Sequence, residues 1–224
     1  MSPALPQRPP HVASRVAGWS STLRLPMLFV TLAAGACFIA SPSVARAQEV
    51  PPPLRRSMPG AGHAVLQALV GTWRVEHSIY LSVGTRDRPA VSNDIICRRE
   101  WVAGGRFLQD VTEGTMAGGP YWRKGLLGYS NMDQRYEWVT IDGFNTMLMS
   151  YLGVPASGPQ APIIMSGVFT DQGWLGEANV GKPVAMRTVI RIESNDRHVF
   201  EIYFTLPGGE EILVDRKVYS RMAG

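Results

Sequence analysis

Gly71-Thr72-Trp73-Arg74-Val75-Glu76-His77-Ser78-Ile79-Tyr80-Leu81 is the stretch on which the fold turns. Trp73, Val75, His77, Ile79 and Leu81 fall on alternate positions, with Arg74, Glu76 and Ser78 between them. A period of two marks a strand with one face on a core and the other in solvent. Working outward, similar stretches recur at 91–102, 106–116, 122–129, 135–142, 147–154, 163–170, 184–193, 198–206 and 211–221. Turn-forming breaks separate them, among them Ala103-Gly104-Gly105, Gly118-Gly119-Pro120, Asp142-Gly143 and Pro207-Gly208-Gly209. Helical spacing shows ahead of the first strand, where Val65, Leu66 and Leu69 share a face between His63 and Val70. No comparable helical stretch lies between strands, so parallel crossovers have nothing to build them and neighbours should be antiparallel. Ten strands in one domain avoid open edges most simply by closing on themselves. The expected fold is therefore all-β: a ten-stranded antiparallel up-and-down barrel preceded by one short helix, with a sandwich as the alternative.

The chain of 224 residues carries 22 Lys and Arg against 18 Asp and Glu. The basic excess sits in residues 1–47, which hold Arg8, Arg15, Arg24 and Arg46 and no acid. The remainder is formally neutral and has no basic stripe, which argues against a nucleic-acid partner, since affinity for phosphates needs concentrated positive charge. Residues 1–47 read as an export signal: an arginine-bearing start, an apolar run from Leu25 to Ala40, and Ala45-Arg46-Ala47 as a cleavage site before Gln48. The run is shorter than the roughly 20 residues a membrane span requires, so no span is expected in the mature protein. Lipidation at Cys37, within Ala34-Gly35-Ala36-Cys37, is an alternative. Cleavage leaves Cys97 as the single cysteine, without a partner for an intramolecular disulfide. Residues 48–61, rich in proline, read as a tether with neither helix nor strand, and 62–222 as the barrel domain. The expected location is the periplasm or the exterior.

Two ends of the barrel region resemble a lipocalin or calycin barrel: the Gly71-Thr72-Trp73 motif opening the first strand, and Arg221 closing the last. The resemblance implies that Arg221 lies over the Trp73 indole and plugs one end, a structural pairing. A longer resemblance, to domain of unknown function 1579, a family of uncharacterised bacterial exported proteins, runs from about His63 to Arg221. It rests on Gly71-Thr72-Trp73, Gly105-Arg106-Phe107-Leu108, Lys124-Gly125-Leu126-Leu127-Gly128-Tyr129-Ser130, the Tyr136–Asp142 strand with Trp138, and Val218-Tyr219-Ser220-Arg221. The family's usual D-P-x-T-G turn is replaced here by Asp171-Gln172-Gly173-Trp174 and a longer insertion. The resemblance supports a barrel and implies no reaction.

The common hydrolase, nucleotide and zinc signatures are absent, and no catalytic residue, metal site or cofactor is expected. His63 opens the helix and is expected in solvent. His77 and His198 share faces with apolar residues and are expected inside, as hydrogen-bonded core residues or, alternatively, as haem ligands. They lie roughly 13 Å apart along the barrel, too far to share one metal. Glu113, Glu201 and Asp142 are candidate buried carboxylates, with outer-surface pairing to Arg187, Arg191 or Arg99 as the plainer reading. Cys97 stands between arginine-rich neighbours and an inert buried position. Tyr136, Trp138, Met147, Met149, Tyr151, Met165, Phe169, Met186 and Ile190 alternate along consecutive strands and would line an adaptable apolar interior. The expected partner is a small apolar or amphipathic molecule. The candidate ligand-binding residues are Tyr136, Trp138, Met149, Tyr151, Met165, Phe169, Glu201 and Tyr203. The alternatives are an enzyme using a buried carboxylate, a filled interaction domain, and a haem binder.

Overall fold

The computed structural model describes residues 49–155 and 161–223. The signal reading of residues 1–47 and the Cys37 alternative lie outside the described residues. Ten strands run in chain order: β1 (Gly71–Ile79), β2 (Ala90–Val102), β3 (Phe107–Met116), β4 (Gly119–Ser130), β5 (Arg135–Asp142), β6 (Met149–Pro155), β7 (Ile163–Thr170), β8 (Pro183–Ser194), β9 (Arg197–Thr205) and β10 (Glu211–Arg221). Each pairs antiparallel with its sequence neighbours, and β1 pairs with β10 from Trp73↔Arg221 to Ile79↔Asp215, so the sheet is a closed up-and-down barrel. The strand alternation makes this possible because each strand offers one apolar face, and closure leaves no unpaired edge.

The proline-rich segment differs from the expected tether. Pro52–Arg56 forms a helix of five residues, α1, with prolines in its first turn, where a missing N–H costs no helical hydrogen bond. The segment is tied to the barrel by Asn131 Nδ2, which donates to the carbonyls of Arg56 (2.9 Å) and Met58 (2.8 Å). Arg106 Nε donates to Ser57 O at 3.0 Å, and its Nη1 caps the Ala103 carbonyl of the β2–β3 hairpin at 3.1 Å.

The lead-in helix α2 (Ala61–Leu66) tightens into a 3-10 turn at Gln67–Leu69. His63 is buried rather than solvated: its Nδ1 accepts from Gly60 N–H at 3.1 Å and its ring meets Tyr129 edge-on. Gly62 permits this, because a Cβ there would lie 2.3 Å from the Tyr129 ring. Burial lowers the His63 pKa.

One end of the barrel is shut by Trp73, which is fully buried. Its Nε1 donates to Leu69 O at 2.9 Å, and the Arg221 guanidinium sits 4.2 Å from the ring centre. Arg221 also donates from Nη1 to Val70 O (2.7 Å) and from Nη2 to Ala68 O (3.1 Å). The same guanidinium therefore covers the indole and pins the lead-in turn to the last strand. Above this plug, His198 stacks on Tyr219 at 4.2 Å and meets Trp73 edge-on at 4.4 Å.

Candidate functional site

Counting by twos up each strand from the plugged end brings the inward side chains to the other end, where the core stops short of filling the barrel. A cavity of about 140 Å³ remains there. Its walls include Trp138, Tyr151, Met149, Met186, Phe169 and Phe204. Trp138 stacks on Tyr151 at 5.1 Å and meets Phe200 edge-on at 5.3 Å. Methionine thioethers beside aromatic rings make a wall that adjusts to irregular apolar shapes. Gly125 leaves the space that the Trp138 indole occupies, since a Cβ there would lie 2.5 Å from Trp138 Nε1 and 2.6 Å from Asp110 Oδ2.

The mouth is framed by Phe144 and Trp174, whose rings meet edge-on. Trp174 is held there by Asp171, a buried carboxylate that accepts backbone N–H bonds from Gly173 (3.0 Å), Trp174 (2.7 Å) and Leu175 (3.1 Å). Gln172 Nε2 donates to Phe144 O at 2.8 Å and links the two mouth segments. Within the 142–145 turn, Asp142 accepts from the backbone N–H groups of Phe144 and Asn145 and from Asn145 Nδ2.

The floor is polar. On β10 a bulge between Leu213 and Asp215 turns Val214 and Asp215 both inward, and Lys217 and Tyr219 follow on the same face. Lys217 Nζ donates to Asp215 Oδ1 at 2.6 Å, and His77 Nε2 lies 2.8 Å from Asp215 Oδ2. Burial works to raise the Asp215 carboxyl, but His77 and Lys217 outweigh it and hold Asp215 well below the usual carboxylate range. Burial lowers Lys217 to about 8 against the pull of Asp215, with Arg123 adding to the lowering. Burial also depresses His77, so the arrangement at neutral pH is a Lys217 ammonium, an Asp215 carboxylate and a neutral His77 donating through Nε2. Beside them, Arg123 Nη2 donates to Asp110 Oδ1 at 3.3 Å, and both side chains are buried. Deeper still, His198 Nε2 lies 2.5 Å from Arg99 Nη1 and accepts from it. Burial, then the charges of Arg99 and Arg221, push the His198 pKa far below its ordinary 6.5.

The folded state keeps His198 neutral while the unfolded chain takes up a proton below pH 6.5, so acid favours unfolding. Between pH 6.5 and 5 this residue alone is expected to remove about 1.6 kcal/mol of stability. Urea unfolding of the wild type and of His198→Gln at the two pH values measures it; equal slopes in the two proteins would show that His198 does not carry the effect.

Of the sequence-predicted residues, Trp138, Met149, Tyr151 and Phe169 line the cavity together. Tyr136 and Met165 are buried inside the barrel below it, Tyr136 donating to Gly62 O at 3.3 Å. Glu201 and Tyr203 lie on the outer face of β9, away from the cavity. The inward set on that strand is His198, Phe200, Ile202 and Phe204, and the residues between them must point out. Glu201 is paired there with Arg191 and Arg216 and accepts from the Tyr203 hydroxyl at 2.9 Å. Burial raises the Glu201 pKa, but Arg191, Tyr203 and Arg216 more than offset it and the net shift is downward. Glu113 is also outside, near Arg98 at 3.4 Å. Arg99 points inward rather than forming an outer pair. Cys97 is fully buried, and burial raises its thiol pKa. Among the described residues there is no group of three His, Cys, Asp or Glu side chains fit to hold a metal ion.

Missed by the sequence reading are Asp110, Arg123, Thr140, Asp215 and Lys217, all on inward faces. The signal was present: stepping back by twos from Arg221 gives Tyr219, Lys217 and Asp215.

The chain matches the family model described as "Protein of unknown function (DUF1579)" over residues 58–221, which takes in every strand and the plug. The chain belongs to the DUF1579 family. The segment 171–174 carries Trp174 to the mouth of this DUF1579 barrel. Comparison with curated proteins found no match. Among solved structures, the S-type phycobiliprotein lyase CPES from Guillardia theta shares 10% identity over 76% of this chain and 97% of its own, with a TM-score of 0.45. A structure of EF1p2_mFAP2b bound to DFHBI shares 12% identity over 71% of this chain and 98% of its own, with a TM-score of 0.35. At such identities nothing about binding carries across. No helix among the described residues is long and apolar enough to cross a membrane.

Proposed function

We propose that this DUF1579 barrel binds a small hydrophobic or amphipathic molecule in its interior and does so outside the cytoplasm, after removal of residues 1–47. The observation that carries the binding reading is the cavity itself. The plugged half of the barrel is closed by the buried Trp73 with Leu66, Leu69 and Tyr219, whereas the other half holds about 140 Å³ of space behind an aromatic mouth. Its walls are mostly apolar, with polar groups at the floor and at the rim, the composition of a site that takes affinity from burial and orientation from a few contacts. A space of this size suits a single ring or a short chain inside, with the remainder of a longer ligand passing between Phe144 and Trp174.

The export reading rests on the arginine-bearing start, the Leu25–Ala40 apolar run and the Ala45-Arg46-Ala47 site. One experiment addresses both. Protein recovered from the cell envelope should have the intact mass of Gln48–Gly224 and should bind octan-1-ol saturably in a calorimetric titration, with Kd at or below about 1 mM. Met186→Trp, which fills the cavity from a buried wall position, should abolish binding while keeping the near-ultraviolet circular dichroism of a folded barrel. Recovery with residues 1–47 attached contradicts export. Absence of saturable heat, or equal binding by Met186→Trp, contradicts the cavity reading.

A further inference from the structure

The polar groups at the floor of the cavity share one property. Among the described residues Arg123 makes a single side-chain hydrogen bond, from Nη2 to Asp110, and its Nη1 makes none although the side chain is buried. Lys217 uses one of its three ammonium protons, on Asp215. The Tyr151 hydroxyl donates to the soft thioether sulfurs of Met149 (3.7 Å) and Met186 (3.9 Å), with the Thr140 side chain also beside it. Tyr121, buried in the same wall, has no side-chain hydrogen bond among the described residues. These are donors with protons to spare.

The carboxylates, by contrast, are engaged. Asp215 holds Lys217 and His77, Asp110 holds Arg123, and the Asp142 carboxylate at the rim is spent on the turn from Phe144 to Asn145. Among the described residues His77 Nδ1 has no partner, and it is sealed from the cavity space. Charge points the same way. Along the lining Arg123 and Lys217 are matched in number by Asp142 and Asp215, but Asp142 sits at the rim within its own turn while both cations lie deeper. Buried donors without partners are costly, and a ligand acceptor that meets them recovers that cost.

Resting on the reading that the cavity is a ligand site, we infer that its ligand is an amphipathic carboxylate bound head-inward, the anion between Arg123 and Lys217 and the apolar tail along Met149, Met186 and Phe169 towards the mouth. Depth along the strands fits this orientation. Arg123 and Lys217 lie further from the mouth than Tyr121 and Asp215, which precede them by two residues on β4 and β10, so the charge is at the bottom and the apolar wall is above it. An arginine offers paired N–H groups to a carboxylate, and the Lys217 ammonium adds a point charge to the same anion.

The test compares three probes of one chain length on the wild-type protein: octanoate, octan-1-ol and octylamine, each titrated at pH 7 and low salt. Octanoate is expected to bind at least tenfold more tightly than octan-1-ol, and octylamine more weakly than either. The paired variant Arg123→Gln with Asp110→Asn, which removes both charges together, is expected to reduce the octanoate-to-octanol ratio to threefold or less. Octan-1-ol binding as tightly as octanoate overturns the inference and leaves the apolar cavity standing. Preference for octylamine overturns it in favour of recognition by Asp215. If none of the three binds, the cavity reading itself fails, and this inference with it.

Discussion

Replacing Trp73 by alanine is expected to lower the unfolding free energy by about 3–5 kcal/mol. The indole is fully buried at the closed end of the barrel, and three separate contacts end on it. Its Nε1–H satisfies the Leu69 carbonyl at the end of the lead-in turn. Its face receives Arg221, an arrangement worth on the order of 0.5–2 kcal/mol. Its edge packs against His198, which is itself sandwiched by Tyr219 and bonded to Arg99. Alanine leaves a void under a guanidinium that would still be held by Val70 and Ala68, so the plug cannot collapse far. Urea unfolding followed by far-ultraviolet circular dichroism measures the loss. A curve superimposable on that of the wild type contradicts the assignment of Trp73 as the barrel plug.

Asp215→Ala is expected to be as damaging, by a different route. Lys217 is buried beside it, and deleting the carboxylate leaves an ammonium with no counter-ion at the cavity floor. Breaking a buried pair from one side costs about 3–5 kcal/mol, whereas replacing both partners by apolar groups of similar volume is near neutral. The double variant Asp215→Leu with Lys217→Met should therefore recover most of the stability lost in the single variant. The same unfolding measurement decides: a single variant as stable as the wild type, or a double variant no better than the single, contradicts the account of a coupled buried pair.

The contrast between these two sites shows what alternation reveals and what it hides. The period of two in Trp73–Leu81, repeated along the chain, is a consequence of burying one face of every strand, so strand number, antiparallel order and closure could be read from it. The plug was legible through the resemblance carried by Gly71-Thr72-Trp73 and Arg221. Polar residues on the inner face were harder. Asp215 and Lys217 look like ordinary surface charges, because composition alone makes charged residues mostly exposed. Only the phase set by Arg221 places them inside, and the bulge beside Asp215 shifts that phase locally. Glu201 and Tyr203 failed in the opposite sense. They were chosen for their chemistry, although Phe200 had already fixed the phase of β9 and put them outside with Arg191. Arg99 shares its phase with Cys97, so its inward position follows from the same count. The helix α1 and the buried His63 rest on tertiary contacts, with Asn131, Arg106 and Tyr129, that no local pattern contains.

The central claim is that the space behind Phe144 and Trp174 is the binding site, and it is tested most directly by watching its wall. In protein labelled at the methionine methyl groups with carbon-13, octan-1-ol is titrated and the methyl resonances are followed. Met149 and Met186 line the cavity, while Met58 and Met132 are exposed outside it. The account predicts saturable shifts of Met149 and Met186 with a common Kd that matches the calorimetric value, and no shift of Met58 or Met132. Saturation at Met58 or Met132 with Met149 and Met186 unmoved would contradict it.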